Sequence, residues 1–333
     1  MGGRSRWVLP LRAGAAVVML AVLLREVHWS SLVPDPVATT PLWLAGALVV
    51  TLAGIVLATL RWRQVLAALG RPAPTHTLLA HELAGLFVGN FLPSTIGGDV
   101  LRVTRLSASN GNRPDSFASV VLERLSGWLV LPVLTLAAMA VNPGLLRLGR
   151  ATVVALVLSG GTLLLLVAVL AAAASPRLGG RLVAREGWSR FVGAVHLGLE
   201  RFRRRPRAAA SVLLVGVAYQ LAVVLAAFLA AHALGIAVSP TAALAFMPAV
   251  AIAQVLPISL GGLGVREGAF VLFLGPLGVP AGQAVALGLL VYGLNLVVSL
   301  LGAPAFAVGG GVAAGEDGGA PPSTEEHAPA ALA

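Results

Sequence analysis

Read for hydrophobic and polar positions, the chain is a series of long apolar blocks separated by short polar loops. A helix rises 1.5 Å per residue, so hydrocarbon about 30 Å thick takes about 20 apolar residues to cross. Five blocks reach that length: 41–60, 117–141, 151–174, 208–234 and 282–307. A block at 8–25 is a weaker sixth, preceded by Arg4 and Arg6 and containing Arg12. That start also has the shape of a signal peptide. The residues after its apolar run Ala13 to Leu24, namely Arg25, Glu26, His28 and Trp29, offer no small-residue cleavage site, which favours a retained helix. Two further blocks, 77–92 and 241–257, are followed by Pro and Gly and reach only about 25 Å as helices. They read as half-membrane helices that turn back. The pattern therefore predicts an all-α, polytopic integral membrane protein with about six full transmembrane helices plus two re-entrant helical hairpins.

Composition agrees. Of 333 residues, 58% are hydrophobic and 11% charged, with a mean hydropathy of +0.92. A soluble domain carries about 25% charged residues, so a soluble globular fold is excluded. The net charge of +10 rests on arginine alone, since lysine does not occur. Most arginines sit in short loops between apolar blocks, which is a topology signal and not a nucleic-acid face. Arg61, Arg63 and Arg71 follow the block 41–60, and Arg102, Arg105 and Arg113 precede the block 117–141. The loop 175–207 is the most basic. All three are assigned to the cytoplasm of a cell (plasma or inner) membrane, as are both termini; Arg147 and Arg150 are a minor exception. With no Cys, disulfides, zinc–thiolate clusters and thiol nucleophiles are excluded. The six His show no metal-ligand spacing, and no metal or cofactor is expected.

The expected organisation is one transmembrane domain over 1–310 followed by a disordered tail over 311–333, rich in Gly, Ala, Pro and Glu. Within the basic segment 177–207, Trp188, Phe191, Val192, Val195, Leu199 and Phe202 recur at helical spacing. This fits an amphipathic helix on the inner leaflet or an ordinary charged connector, and the pattern leaves both open.

The most informative feature is a pair of matching strings. Asn90-Phe91-Leu92-Pro93-Ser94-Thr95-Ile96-Gly97-Gly98-Asp99-Val100-Leu101-Arg102 is repeated 164 residues later as Gln254-Val255-Leu256-Pro257-Ile258-Ser259-Leu260-Gly261-Gly262-Leu263-Gly264-Val265-Arg266. Both read amide-x-Leu-Pro-x-x-x-Gly-Gly-x-x-x-Arg, and each closes one of the short blocks. Three full spans lie between them, an odd number, so the second string faces the opposite side of the membrane. The unit of span, broken hairpin and span thus occurs twice, at about 41–141 and 208–307, in inverted orientation, a pattern that points to a transport site. Pro93 and Pro257 end a helix. The glycine pairs Gly97-Gly98 and Gly261-Gly262 permit a tight reversal and close backbone approach. A helix restarting after them directs its positive end at the break, which suits a phosphate, and Arg102 and Arg266 supply matching charge. The plainer alternative is a pair of packing kinks whose arginines snorkel to the surface.

These strings resemble the signatures of the flippase-like family that includes the transmembrane domain of lysylphosphatidylglycerol synthase. The resemblance is carried by Asn90 to Pro93 with Gly97-Gly98-Asp99, by Leu256 to Ser259 with Gly261 to Gly268, and by Glu123-Arg124. It covers roughly residues 10 to 307 and implies a lipid-translocating membrane domain with two re-entrant hairpins. Full-length synthases add a soluble aminoacylating domain; nothing in this sequence corresponds to it, so synthase activity is not implied.

Other polar residues interrupt the apolar blocks. His81 and Glu82 either line a cavity or sit at the interface. Glu123 and Arg124 are adjacent, hence about 100° apart on a helix. Each is expected to pair elsewhere, with Arg102, Arg266 and Glu267 as candidates. Tyr219, Gln220 and Asn295 read as interhelical hydrogen-bonding groups. The combined expectation is a lipid flippase or transporter that takes an anionic or zwitterionic headgroup and is not an enzyme. Arg102, Glu123, Arg124, Arg266 and Glu267 line its cavity, and Asn90, Pro93, Asp99, Gln254, Pro257 and the four glycines shape it. Two alternatives stand beside it. One is a membrane-embedded enzyme for lipid-linked substrates, using Glu82, Asp99, Glu123 or Glu267 as acid or base. The other is a non-transporting partner of a synthase, bound through the loop 175–207. A homo-oligomer is left open.

Overall fold

The computed structural model of the protein describes residues 39–91, 97–175, 188–255 and 262–309. The block 8–25, the segment 176–187 and the tail 311–333 lie outside the described residues. Helix α1, Thr40–Ala68, opens on Pro41, whose fixed φ and missing N–H suit a first helical turn. It does not stop at Leu60. Trp62, Val65, Leu66 and Leu69 continue the apolar stripe until Gly70, whose φ of +77° ends it. The arginines expected in the following loop therefore divide: Arg61 and Arg63 belong to α1, and Arg61 is buried.

The chain continues as α2 (Thr75–Phe91), α3 (Gly97–Asn110) and α4 (Arg113–Val141), the last begun by Asn112, which accepts a hydrogen bond from the Asp115 N–H at 2.9 Å. A short 3₁₀ turn leads to α5 (Arg150–Ala174), then α6 (Trp188–Arg204) and α7 (Pro206–Ala233). The remainder is α8 (Pro240–Val255), α9 (Val265–Leu274), α10 (Ala281–Ser299) and α11 (Gly302–Gly309). Among the described residues there is no strand, and five helices (α1, α4, α5, α7 and α10) are long and apolar enough to cross a membrane. Their outer faces expose aliphatic side chains such as Val153, Val157, Leu164 and Leu165 of α5 and Leu214 of α7. A surface of that kind has lipid as its solvent. The protein is a multi-pass helical membrane protein.

One expected span is divided. The block 282–307 stops at Ser299 and restarts at Gly302 as α11, which lies along α2. A Cβ on Gly302 would overlap the Leu83 carbonyl oxygen. The Phe87 and Phe306 rings are 5.9 Å apart, and Arg105 donates to the carbonyls of Ala305 and Phe306 at 2.8 Å each. Hydropathy misses the break because both pieces are apolar; close backbone packing makes it.

Long helix, short pair and long helix occur twice in the order of elements, and the packing of the two sets is reciprocal. Helices α1 and α7 lie along each other. α4 packs on α8 as α10 packs on α2, and α4 on α7 as α10 on α1. The largest apolar core surrounds α8 and α9, where Phe246 stacks on Phe273 with centroids 5.3 Å apart. α8 is buried almost throughout, as expected of a helix apolar on all faces and enclosed by protein. Its Pro248 leaves the Leu244 carbonyl without an intrahelical donor, and Thr135 donates to the next carbonyl, Ala245, at 2.9 Å.

The amphipathic stretch is helical over Trp188–Arg204, and Phe191, Val192, Val195 and Phe202 of its apolar stripe pack on protein. Val195 packs with Val121 and Ala173, and Ala194 with Val65, Leu69 and Leu122. Its arginines close the end of α1: Arg201 donates to the Leu69 carbonyl at 2.5 Å and Arg205 to that of Ala67 at 3.3 Å. The Ala67 carbonyl also accepts from the Gly70 N–H at 3.1 Å; carbonyls at a helix C-terminus lack their full set of helical donors, and cations suit that end.

Candidate functional site

The glycines at the two breaks do different work. At the first, Gly98 meets Gly85 of α2, and a Cβ on Gly98 would overlap the Gly85 carbonyl oxygen. Gly97 and Gly98 belong to the first turn of α3, and Gly98 provides close approach and not the expected reversal. At the second, Gly262 and Gly264 take φ of +75° and +81°, which L side chains rarely adopt. There the backbone conformation itself calls for glycine. Pro93, Pro257 and Gly261 lie outside the described residues.

Behind the first break stands a network of six charges. Glu123 of α4 accepts from Arg61 Nη2 and, at 3.4 Å, from both Nη atoms of Arg102. Arg102 also pairs with Glu82 at 2.8 Å and Asp99 at 3.3 Å, and its guanidinium lies 4.2 Å over the Trp62 ring. Trp62 in turn donates Nε1–H to Ser119 at 3.0 Å. Arg124 forks onto Asp99 with bonds of 3.1 and 2.8 Å. Three arginines thus meet three carboxylates, so the network has no net charge, as burial of ions requires. Glu123 and Arg124 do pair elsewhere. Arg102 is the one expected partner that appears; Arg61 and Asp99 are the others.

Behind the second break, Arg266 donates from Nε and Nη2 to Glu267 Oε1 at 3.0 and 2.7 Å. Glu267 Oε2 accepts from the Gly264 N–H at 2.6 Å, and Arg266 lies 4.8 Å over the Tyr292 ring. The positive end of α9, expected to face a phosphate, is therefore occupied by the chain's own carboxylate. Arg102 and Arg266 are both buried, which removes the alternative in which they snorkel to the surface.

Between the two halves lies a cavity of about 140 Å³ bounded by α1, α2, α7, α8, α9 and α10. Its wall carries Glu82, Tyr219, Gln254, Arg266 and Asn295 among aliphatic side chains. Among the described residues expected to line or shape it, Gln254 and Arg266 do, and Glu82 takes the cavity-lining of its two expected places. Arg102 and Glu267 stand behind the wall as partners of Glu82 and Arg266, and Glu123 stands behind Arg102. Arg124 is half exposed and held by Asp99, and neither lines the cavity; nor does Asn90, in the last turn of α2. Gly98 and Gly262 shape the breaks without entering the wall, and Gly97 does not enter it either. Gln220 makes an interhelical bond to the Gly127 carbonyl at 3.2 Å, as expected. Asn295 instead donates to Val291 of its own helix at 2.8 Å, and Tyr219 lies under Arg61 at 4.7 Å.

Sequence reasoning assigned no site role to Arg61, Tyr219, Tyr292 or Asn295. For Arg61 a signal exists: the apolar stripe of Trp62, Val65, Leu66 and Leu69 carries the helix past it. For the three others, single polar groups in apolar spans, no local signal separates cavity lining from helix packing.

The family described as the lysylphosphatidylglycerol synthase TM region matches residues 7–302, which takes in both broken pairs and all five long helices. No curated protein matches the chain.

Proposed function

The chain belongs to the family of the lysylphosphatidylglycerol synthase transmembrane region, and on that premise we propose that it is a lipid transporter, moving a polar lipid headgroup across the bilayer through the cavity between its broken helix pairs. The observation that carries this reading is the polar wall of that cavity inside an apolar bundle. Charged and amide groups are costly to place within a membrane and are kept there for a polar passenger or an ion. Glu82 and Arg266 stand in the wall, and the residues that neutralise them lie behind it. At about 140 Å³ the space is smaller than the roughly 300–1,000 Å³ of pockets that enclose a whole drug-sized ligand. It suits a headgroup whose acyl chains stay in the bilayer.

The reciprocal packing of the two halves supports an inverted arrangement in a cell membrane. In that arrangement α2 and α3 enter from the cytoplasmic face and return to it, while α8 and α9 do so from the opposite face. The test is reconstitution into vesicles with headgroup-labelled lipids. Translocation above that of empty vesicles is expected for at least one lipid. Failure across the common phospholipids and polyprenyl phosphates overturns the reading.

A further inference from the structure

The two charged residues in the cavity wall belong to ion pairs that face the cavity in opposite senses. On the α2 side Glu82 lines the cavity while its partner Arg102 does not, with side chains 15% and 3% exposed. On the α9 side Arg266 lines the cavity while its partner Glu267 does not, at 5% and 0%. Each pair is neutral as a whole, and each presents one pole. A ligand in this space meets a negative pole from one half of the protein and a positive pole from the other.

We propose that the cavity selects a zwitterion bearing an ammonium and a phosphate, with the ammonium on Glu82 and the phosphate on Arg266. Taking that zwitterion to be a lipid headgroup rests on the transport reading above. Glu267 engages Nε and Nη2 of Arg266, and among the described residues Nη1 makes no hydrogen bond, so a donor remains for a phosphate oxygen. The remaining bond of Glu267, accepted from the N–H of Gly264 at the cap of α9, holds the arginine's partner in place. Glu82 is held in the same way by Arg102, which Glu123 and Asp99 also engage. A net-anionic headgroup brought to Arg266 would also meet the Glu82 carboxylate in a small space of low polarity, where repulsion is poorly screened. A headgroup with its own ammonium turns that repulsion into attraction, and fixed opposed charges of this kind confer specificity.

The experiment is equilibrium binding to the full-length protein in detergent with phospholipids of one short chain length. The headgroups are ethanolamine, N-acetylated ethanolamine and glycerol, with water-soluble O-phosphoethanolamine as a fourth ligand. The ethanolamine lipid is expected to bind about tenfold or more tightly than the N-acetylated and glycerol lipids, and Glu82→Gln to abolish the difference. Affinities within about twofold of one another for the three lipids, or a folded Glu82→Gln protein that still discriminates, overturn the proposal. The N-acetyl comparison needs no variant, so the proposal stays open to refutation if Glu82→Gln does not fold. Discrimination by charge together with equal affinity for free O-phosphoethanolamine supports the dipolar site and overturns its assignment to a lipid. Discrimination without translocation in vesicles supports the site and overturns the transport reading alone.

Discussion

Glu123 accepts from two arginines that arrive on different helices, Arg61 from α1 and Arg102 from α3, and all three side chains are at most 5% exposed. Removing its charge would leave two buried guanidiniums short of a partner. Glu123→Gln is expected to destabilise the protein by about 3–5 kcal/mol, the range for breaking a buried pair. Arg124→Gln removes a charge from the same network at a site that is 53% exposed, and is expected to cost about 1 kcal/mol or less. Thermal unfolding of both variants in one detergent checks the contrast, and equal losses would show that burial does not set the strength of these pairs. The need for partners was legible in the adjacent Glu123 and Arg124. Their identity was not, because Arg61 and Glu123 are 62 residues apart and meet only once the bundle has closed.

At the scale of elements, the glycines report where backbones touch. Gly98→Ala is expected to force α2 and α3 apart and cost roughly 1–3 kcal/mol, as overpacking does, because the obstructing atom at Gly98 is a carbonyl oxygen that cannot rotate away. Gly302→Val places a branched side chain on the Leu83 carbonyl, so α11 is expected to detach from α2. Protease sensitivity at 302–309 should then rise while the rest of the bundle stays protected. Of these contacts the sequence shows that small residues stand at the breaks. It does not show that Gly98 serves an approach while Gly262 serves a turn, since both lie in the same Gly-Gly context.

For the whole molecule the deciding question is sidedness. The protein has no cysteine, so single cysteines report on one position each. Pro72→Cys and Ala108→Cys flank the first broken pair, and Ala237→Cys and Ala281→Cys flank the second; all four positions are exposed. An impermeant maleimide applied to sealed vesicles is expected to label the first two from one face and the last two from the other. Labelling of all four from one face would remove the inverted arrangement, and the carrier with it.

The class of protein, the central part of each long helix and the existence of two matched breaks follow from the sequence by itself; where α1 and α10 end does not. Each rests on local properties: apolar length set against bilayer thickness, and Pro and Gly at fixed offsets. Which charges are exposed, which neutralise them and which glycine touches which carbonyl were decided only by the tertiary structure. Those facts depend on how helices far apart in the chain come together. Glu82 and Arg266 face one cavity because two halves that each conceal an ion pair close around the same space.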